Sequence, residues 1–342
     1  MQTKIKVAVI GVGRMGRRHV QVINELGLHL SGVCDQTSDA LEICRKDFQL
    51  SSDQLFTNAA EMLKTTHPEC VIIATTSPTH CEYTCLAAKQ GAKYILCEKP
   101  MAVSLAQCDR MLHVCRQQGA RLAINHQMRF MEQYTEPKKI ICSDAFGGLS
   151  SVTVIAGNFG LAMNGTHYFE MFRYMTDEKP HEVTAWFSDE KVSNPRGPQF
   201  EDRAGAVRVL TAQGKRFYMD VGADQGHGIK VIYSGRYGQL VVDELNGKML
   251  LSVRNEKERD LPTTRYGVTS IETQQTIQPA DATAPTKSVL DALIRETNYP
   301  TGKDGRLAVA TLVAAYCSNE QGHKPVVIDD ENLPANREFP WA

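Results

Sequence analysis

Apolar and polar positions follow two rhythms along the chain. Over the first 125 residues, short β-branched runs alternate with segments of helical period. The runs at Lys4–Ile10, Leu28–Cys34, Cys70–Ala74, Lys93–Cys97 and Arg121–Asn125 read as buried parallel strands. Between them, Arg14–Leu26, Asp39–Phe48, Ala59–Thr65, Thr79–Gln90 and a Ser104-capped segment to Gln118 read as helices, several with a glycine just beyond the end. This alternation predicts right-handed crossovers and a doubly wound parallel sheet. From about Ser150 to Asn255, strict alternation takes over in stretches such as SVTVIAG, GAVRVLTA and IKVIYSG, joined by glycine-containing turns. That pattern predicts a large open, mostly antiparallel sheet, with helices at Tyr168–Met175, Ala284–Thr297 and Gly305–Gln321. The polar stretch Leu261–Ala284 reads as a long mobile loop. The fold class expected is α/β: a parallel-sheet domain over 1–125, then an α+β domain over 126–342.

A length of 342 residues suits two cores. The net charge of −1, with cations and acids interspersed, argues against a nucleic-acid partner and for a small molecule. The start of the chain lacks a hydrophobic signal region and no later segment reaches membrane-span length, so a soluble, cytoplasmic protein is expected. Of the ten cysteines none forms Cys-x-x-Cys. Cys81 and Cys85 share a helix face, as do Cys108 and Cys115; these read as small apolar packing residues, and no metal site is expected.

Gly11-Val12-Gly13-Arg14-Met15-Gly16 follows the first strand and opens the first helix. Gly11 permits the tight turn, Gly13 lets a pyrophosphate approach the backbone, and Gly16 lets helix and strand pack closely. The helix start, including Arg14 and Met15, then faces the phosphates. Asp35 ends the second strand, where a carboxylate accepts from a ribose diol and repels a 2′-phosphate. NAD is therefore the expected cofactor; Arg14, Arg45 and Lys46 keep NADP open as the alternative.

Further motifs carry a family resemblance. Glu98-Lys99-Pro100 follows KYILC, and Ala74-Thr75-Thr76-Ser77-Pro78-Thr79-His80 stands ahead of a helix ending Gln90-Gly91-Ala92-Lys93. With Asn125 through Arg129-Phe130, Phe146-Gly147-Gly148, Gly165-Thr166-His167, Gly235, Gly238 and Asp304-Gly305, the set resembles the glucose–fructose oxidoreductase / inositol dehydrogenase / MocA family. The resemblance implies an NAD(P)-binding Rossmann domain and a substrate-binding α/β domain whose sheet mediates a homodimer or homotetramer. It also implies hydride transfer between nicotinamide and a sugar, cyclitol or polyol.

Oxidising a secondary alcohol needs a base and a stabiliser for the developing alkoxide. Lys99 follows a strand at the carboxyl edge of the sheet, where ligands bind in such folds, and is the leading candidate to hold or relay the proton. Glu98 is expected to pair with Lys99 or to face the nicotinamide ribose, with Thr75, Thr76, Pro78 and His80 lining that ribose. His167 opens a short helix, and imidazole suits acid–base work near neutrality; the resemblance places a catalytic histidine there. It also implies an aspartate four residues earlier in many polyol-oxidising members, where this chain has Met163. Asn164 can bind hydroxyls, Glu170 is expected to fill the missing acidic role at the substrate, with pairing on its helix as the alternative, and Arg129 resembles the family's arginine near substrate. The expected activity is a sugar or nucleotide-linked (amino) sugar dehydrogenase. The alternatives are an inositol or polyol dehydrogenase, a non-catalytic NAD-binding sensor, and redox-neutral chemistry on the same fold.

Overall fold

The computed structural model describes residues 4–190, 193–262, 267–329 and 331–342. It divides into two compact units, Met1–Gln127 with Ala282–Val309 and Pro334–Ala342, and Met128–Asp281 with Ala310–Leu333. The chain beyond 282 is shared between the two units.

In the first unit the order is β1 (Lys6–Ile10), α1 (Arg14–Glu25), β2 (His29–Cys34), α2 (Ser38–Phe48), β3 (Leu55–Phe56), α3 (Ala59–Thr66), β4 (Cys70–Ile73), α4 (His80–Lys89), β5 (Tyr94–Cys97), α5 (Leu105–Gln117) and β6 (Arg121–Ile124). The β-branched runs become strands buried on both faces, with Val7, Val9, Val71, Ile72 and Ile95 fully enclosed. All pairings are parallel, in the order β3-β2-β1-β4-β5-β6. The order reverses between β1 and β4, which opens a crevice at the carboxyl ends of those strands.

The second unit contains α6 (Glu132–Ile141), β7 (Leu149–Gly157), α7 (Thr166–Thr176), β8 (Pro180–Phe187), β9 (Gly205–Thr211), β10 (Arg216–Gly222), β11 (Lys230–Gly235), β12 (Gly238–Asp243), β13 (Lys248–Arg254) and β14 (Ser270–Thr276). After α8 (Thr283–Ile294) and α9 (Gly302–Glu320), β15 (Val326–Val327) joins the same sheet. Its order is β14-β13-β12-β11-β7-β10-β9-β8-β15, and only β7 and β10 pair in parallel. Alternate residues such as Val152, Val154, Phe217 and Met219 form a buried face, where Phe169 and Phe172 of α7 meet the Phe217 ring at 5.9 and 5.4 Å.

One expectation is corrected. The stretch read as a mobile loop holds β14, paired along its length with β13. All seven residues of this edge strand are exposed, so it carries no apolar alternation to betray it. Residues 263–266 of that stretch lie outside the described residues. In the first unit, α8 packs on α1, β5 and β6. The tail also joins that unit: Trp341 Nε1 donates to Ala102 O at 3.1 Å, and the Phe339 and Trp341 rings stack at 4.6 Å.

Candidate active site

The glycine loop is built by close approach. Gly11 has φ +87°, and a Cβ on it would lie 2.8 Å from the Ala74 backbone. A Cβ on Gly16 would lie 1.9 Å from Gly11 O. Gly13 differs: it precedes the first turn of α1, and a Cβ there would meet no protein atom within 4 Å. The space beside this helix start is therefore open, as a pyrophosphate requires. Asp35 closes the other end. Its Oδ2 accepts from Val12 N at 2.8 Å and its Oδ1 from Thr37 N at 2.9 Å. These bonds aim the carboxylate and leave further lone pairs for a ribose diol. The cations that kept NADP open are partly committed elsewhere: Arg45 and Lys46 pair with Glu42 at 2.7 and 3.2 Å, while Arg14 is exposed. Met15 is half-buried, its sulfur 3.4 Å from Arg18 Nη1. The loop and Asp35 thus fit a dinucleotide with an unphosphorylated ribose.

Two strands along, β5 delivers Glu98 and Lys99. Glu98 is buried, and its Oε1 accepts from His19 Nε2 and Asn125 Nδ2, both at 2.8 Å. Burial works against its charge, yet the bond and charge of His19, the Lys99 charge and the Asn125 bond together hold the carboxyl down to about 2. An ionised carboxylate only accepts, so His19 Nε2 carries the hydrogen. Glu98 is thus an internal brace beside the half-buried Lys99. The Lys99–Pro100 peptide is cis. His80 is buried with Nδ1 2.9 Å from Pro100 O and Nε2 3.1 Å from Thr75 O. Burial lowers its pKa, and the neutral ring so favoured has one N–H, which it donates to one of these two carbonyls at a time. Thr75 and Thr76 are half-buried, Pro78 is exposed, and Thr79 Oγ1 donates to Thr75 Oγ1 at 2.8 Å. Ser77 donates to Trp341 O at 2.9 Å, so the tail braces the same turns.

In the second unit a π-helical turn, Leu161–Gly165, leads into α7. The Asp202 carboxylate accepts from Ala162 N at 2.7 Å and Met163 N at 2.8 Å, capping this start. Asn164 Nδ2 donates to Phe159 O at 3.1 Å, and His167 is buried in the first turn of α7. Glu170 is also buried; it accepts from Arg129 Nη2 and, at 3.0 Å, from Arg173 Nη2. Arg129 lies 4.9 Å over the Tyr174 ring. Glu170 is therefore charge-compensated and poorly suited to act as a base.

Sequence reasoning missed His19, Asn125 as the Glu98 partner, Asp202 and Glu244. Glu244 is buried beyond β12 and accepts from the Tyr134 hydroxyl and, at 2.8 Å, from that of Tyr168. Burial pushes its carboxyl up to about 7 against the pull of both hydroxyls. One signal existed: Leu240, Val242 and Glu244 continue the buried parity of the strand. Among the described residues no group of three or more His, Cys, Asp or Glu side chains could hold a metal ion, and no helix is long and apolar enough to cross a membrane.

Residues 5–126 match the model of the GFO_IDH_MocA oxidoreductase family, described as having an NAD-binding Rossmann fold. The chain is 28% identical over 189 residues to D-apiose dehydrogenase of Paraburkholderia graminis, covering 50% of each chain. It is 24% identical over 196 residues to myo-inositol 2-dehydrogenase of Thermotoga maritima, covering 53% of this chain and 58% of that one. The chain thus spans about half the length of the curated relatives it matches. The fold extends further: an oxidoreductase from Agrobacterium radiobacter, solved with NAD+, L-tartaric acid and magnesium, superposes with a TM-score of 0.79 at 18% identity, covering 95% of this chain and 99% of that one. With the glycine loop, Asp35 and the Glu98-Lys99-Pro100 turn in place, residues 5–126 are similar to the NAD-binding Rossmann domain of the GFO_IDH_MocA oxidoreductase family, and the chain as a whole shares the fold of the solved oxidoreductase.

Proposed function

We propose that the protein transfers a hydride between NAD and a secondary alcohol of a sugar or nucleotide-linked sugar. The observation that carries this reading is Lys99 at the carboxyl end of β5, braced by the buried Glu98 in the same sheet as the Gly13 and Asp35 cradle. The glycine-loop amides would hold the pyrophosphate and Asp35 the adenosine ribose. Bound NAD supplies the hydride acceptor. Lys99 Nζ would hold the proton that stabilises the alkoxide oxygen, and His167, in the first turn of α7, is the second acid–base group. Arg129 and Asn164 are assigned to substrate hydroxyls or charge, with Glu170 keeping Arg129 in place. Thr75, Thr76, Pro78 and His80 form the turn assigned to the nicotinamide ribose.

A free polyol or simple sugar is the second reading, favoured because the relatives are named for D-apiose and myo-inositol. Following nicotinamide absorbance with NAD+ against free sugars, inositols and nucleotide sugars separates the two. Turnover confined to free polyols removes the nucleotide-sugar reading, and no turnover with any class removes both. The same reading takes the protein as a cytoplasmic homodimer or homotetramer formed through the large sheet, whose outward side exposes Trp186, Tyr218 and Leu250. Sedimentation tests that assembly: a monomer at micromolar concentration contradicts it.

A further inference from the structure

The turn that leads into α7 is π-helical, with Gly165 N donating to Gly160 O at 3.0 Å, five residues back. Such turns are rare and concentrate at functional sites. The first amides of any helix lack partners within it. Here Asp202 and Arg203 supply three acceptors in order. Leu161 N donates to Arg203 O at 2.8 Å, Ala162 N to Asp202 Oδ1 at 2.7 Å and Met163 N to Asp202 Oδ2 at 2.8 Å. Both oxygens of one carboxylate thus serve successive amides. Gly160 makes room for them: its φ is +75°, and a Cβ there would lie 2.0 Å from Asp202 Oδ2.

The carboxylate is itself mounted on fixed chain. Arg203 Nη2 donates to Ser188 O at 2.9 Å, and Ser188 N donates to Ala204 O at 2.9 Å. These bonds hold the stretch around Asp202 between the end of β8 and the start of β9. The turn carries Asn164, and His167 follows in the first turn of α7. Thr166 Oγ1 donates to Ala162 O at 3.0 Å, so a shift of Ala162 passes directly to the residue before His167. Relaxing the turn to i→i+4 bonding would rotate the segment before α7 by about 100° relative to His167, one residue's worth.

We propose that Asp202 is a positioning residue for the reaction: its carboxylate holds the π-helical turn and thereby sets the bearing of Asn164 and His167. This rests on the part given to His167 in hydride transfer. Asp202 acts through backbone amides and needs no contact with substrate. Misplacing an acid–base group by about 1 Å costs about 10²-fold in rate.

The test uses Asp202→Gly and Asp202→Asn in the full chain, with and without sodium formate. Asp202→Gly should lose about 10²-fold in kcat and regain about tenfold with formate, which refills the two acceptor positions. Its NADH Kd should stay within about threefold of wild type, because a lost orientation moves kcat and not cofactor binding. Asp202→Asn keeps one acceptor oxygen and turns an N–H toward the second amide, so its kcat should lie between the two. Formate should restore nothing to His167→Gln. The placement is also read without turnover. The His167 ring resonance, identified by its loss in His167→Gln, should move in Asp202→Gly and return with formate, while that of the exposed His181 stays. If the wild type turns over no substrate, the hydride-transfer reading fails and this resonance still decides the role of Asp202. If Asp202→Gly does not fold, the same resonance and kcat are read in Asp202→Asn. An unmoved His167 resonance, or a near-normal kcat in a chain that lacks the carboxylate, overturns the proposal.

Discussion

His19 Nε2 lies 2.8 Å from Glu98 Oε1, joining the helix behind the glycine loop to the strand end that presents Lys99. The contact is buried on both sides and is shared by Asn125. It ties α1 to the Lys99 turn. Removing the carboxylate strands two buried donors, so Glu98→Ala should cost about 3–5 kcal/mol of stability. Denaturant unfolding measures this, and a loss within about 0.5 kcal/mol of zero contradicts the brace.

The same carboxyl has a pH signature. Folded, it stays ionised down to about 2; unfolded, it takes up a proton near its ordinary 4.5. Between those values the unfolded chain binds more protons, so stability present above about 4.5 is lost as pH falls toward 2. Melting temperatures followed downward from neutral pH should fall more steeply in wild type than in Glu98→Gln. Parallel curves contradict the assignment.

Glu244 runs the other way. Its folded value, about 7, stands above the ordinary 4.5, so the folded chain binds the extra proton. The stabilisation is full below about 4.5 and is lost as pH rises through about 7. Glu244→Gln should therefore compare better with wild type above that window than below it, in denaturant midpoints at both ends. A difference that does not change with pH counts against a buried, proton-holding Glu244.

Gly13 and Gly16 should separate folding from binding. A Cβ on Gly16 strikes the Gly11 carbonyl, whereas one on Gly13 enters open space. Gly16→Ala should lower stability by about 1–3 kcal/mol. Gly13→Ala should melt like wild type yet bind NADH at least about tenfold more weakly, because the pyrophosphate needs that space. Calorimetric titration with melting curves checks both; the reverse pattern contradicts the cradle.

The first sheet was legible because parallel strands buried on both faces must be continuous apolar runs, and the glycine loop because its spacing answers a steric demand at Gly11 and Gly16. The partners within the site were not legible. His19 reads as one more residue on the buried side of an amphipathic helix, and nothing local marks Glu98, 79 residues away, as its acceptor. Asp202 caps the turn before α7 from about 40 residues further along, beyond α7 and β8, and escapes notice for the same reason. Glu170 was legible as an acid, but its neutralisation by Arg129 and Arg173 depends on tertiary placement. β14 escaped because an edge strand exposed on both faces has no hydrophobic demand to meet.

Asp35 should read the cofactor. Its two oxygens are aimed by Val12 N and Thr37 N. Asp35→Ala should weaken NADH more than NADPH by about tenfold, because the repulsion of a 2′-phosphate goes together with the diol bonds. An unchanged NADH-to-NADPH ratio removes Asp35 from that role.

The central claim is that Lys99 handles the reacting proton while the cradle around Gly13 and Asp35 binds NAD without it. Lys99→Ala, assayed for turnover on the best substrate and for NADH affinity in the same preparation, tests this most directly. The account predicts a fall in kcat of about 10²–10⁴ with the NADH Kd within about threefold of wild type. A near-normal kcat would contradict it.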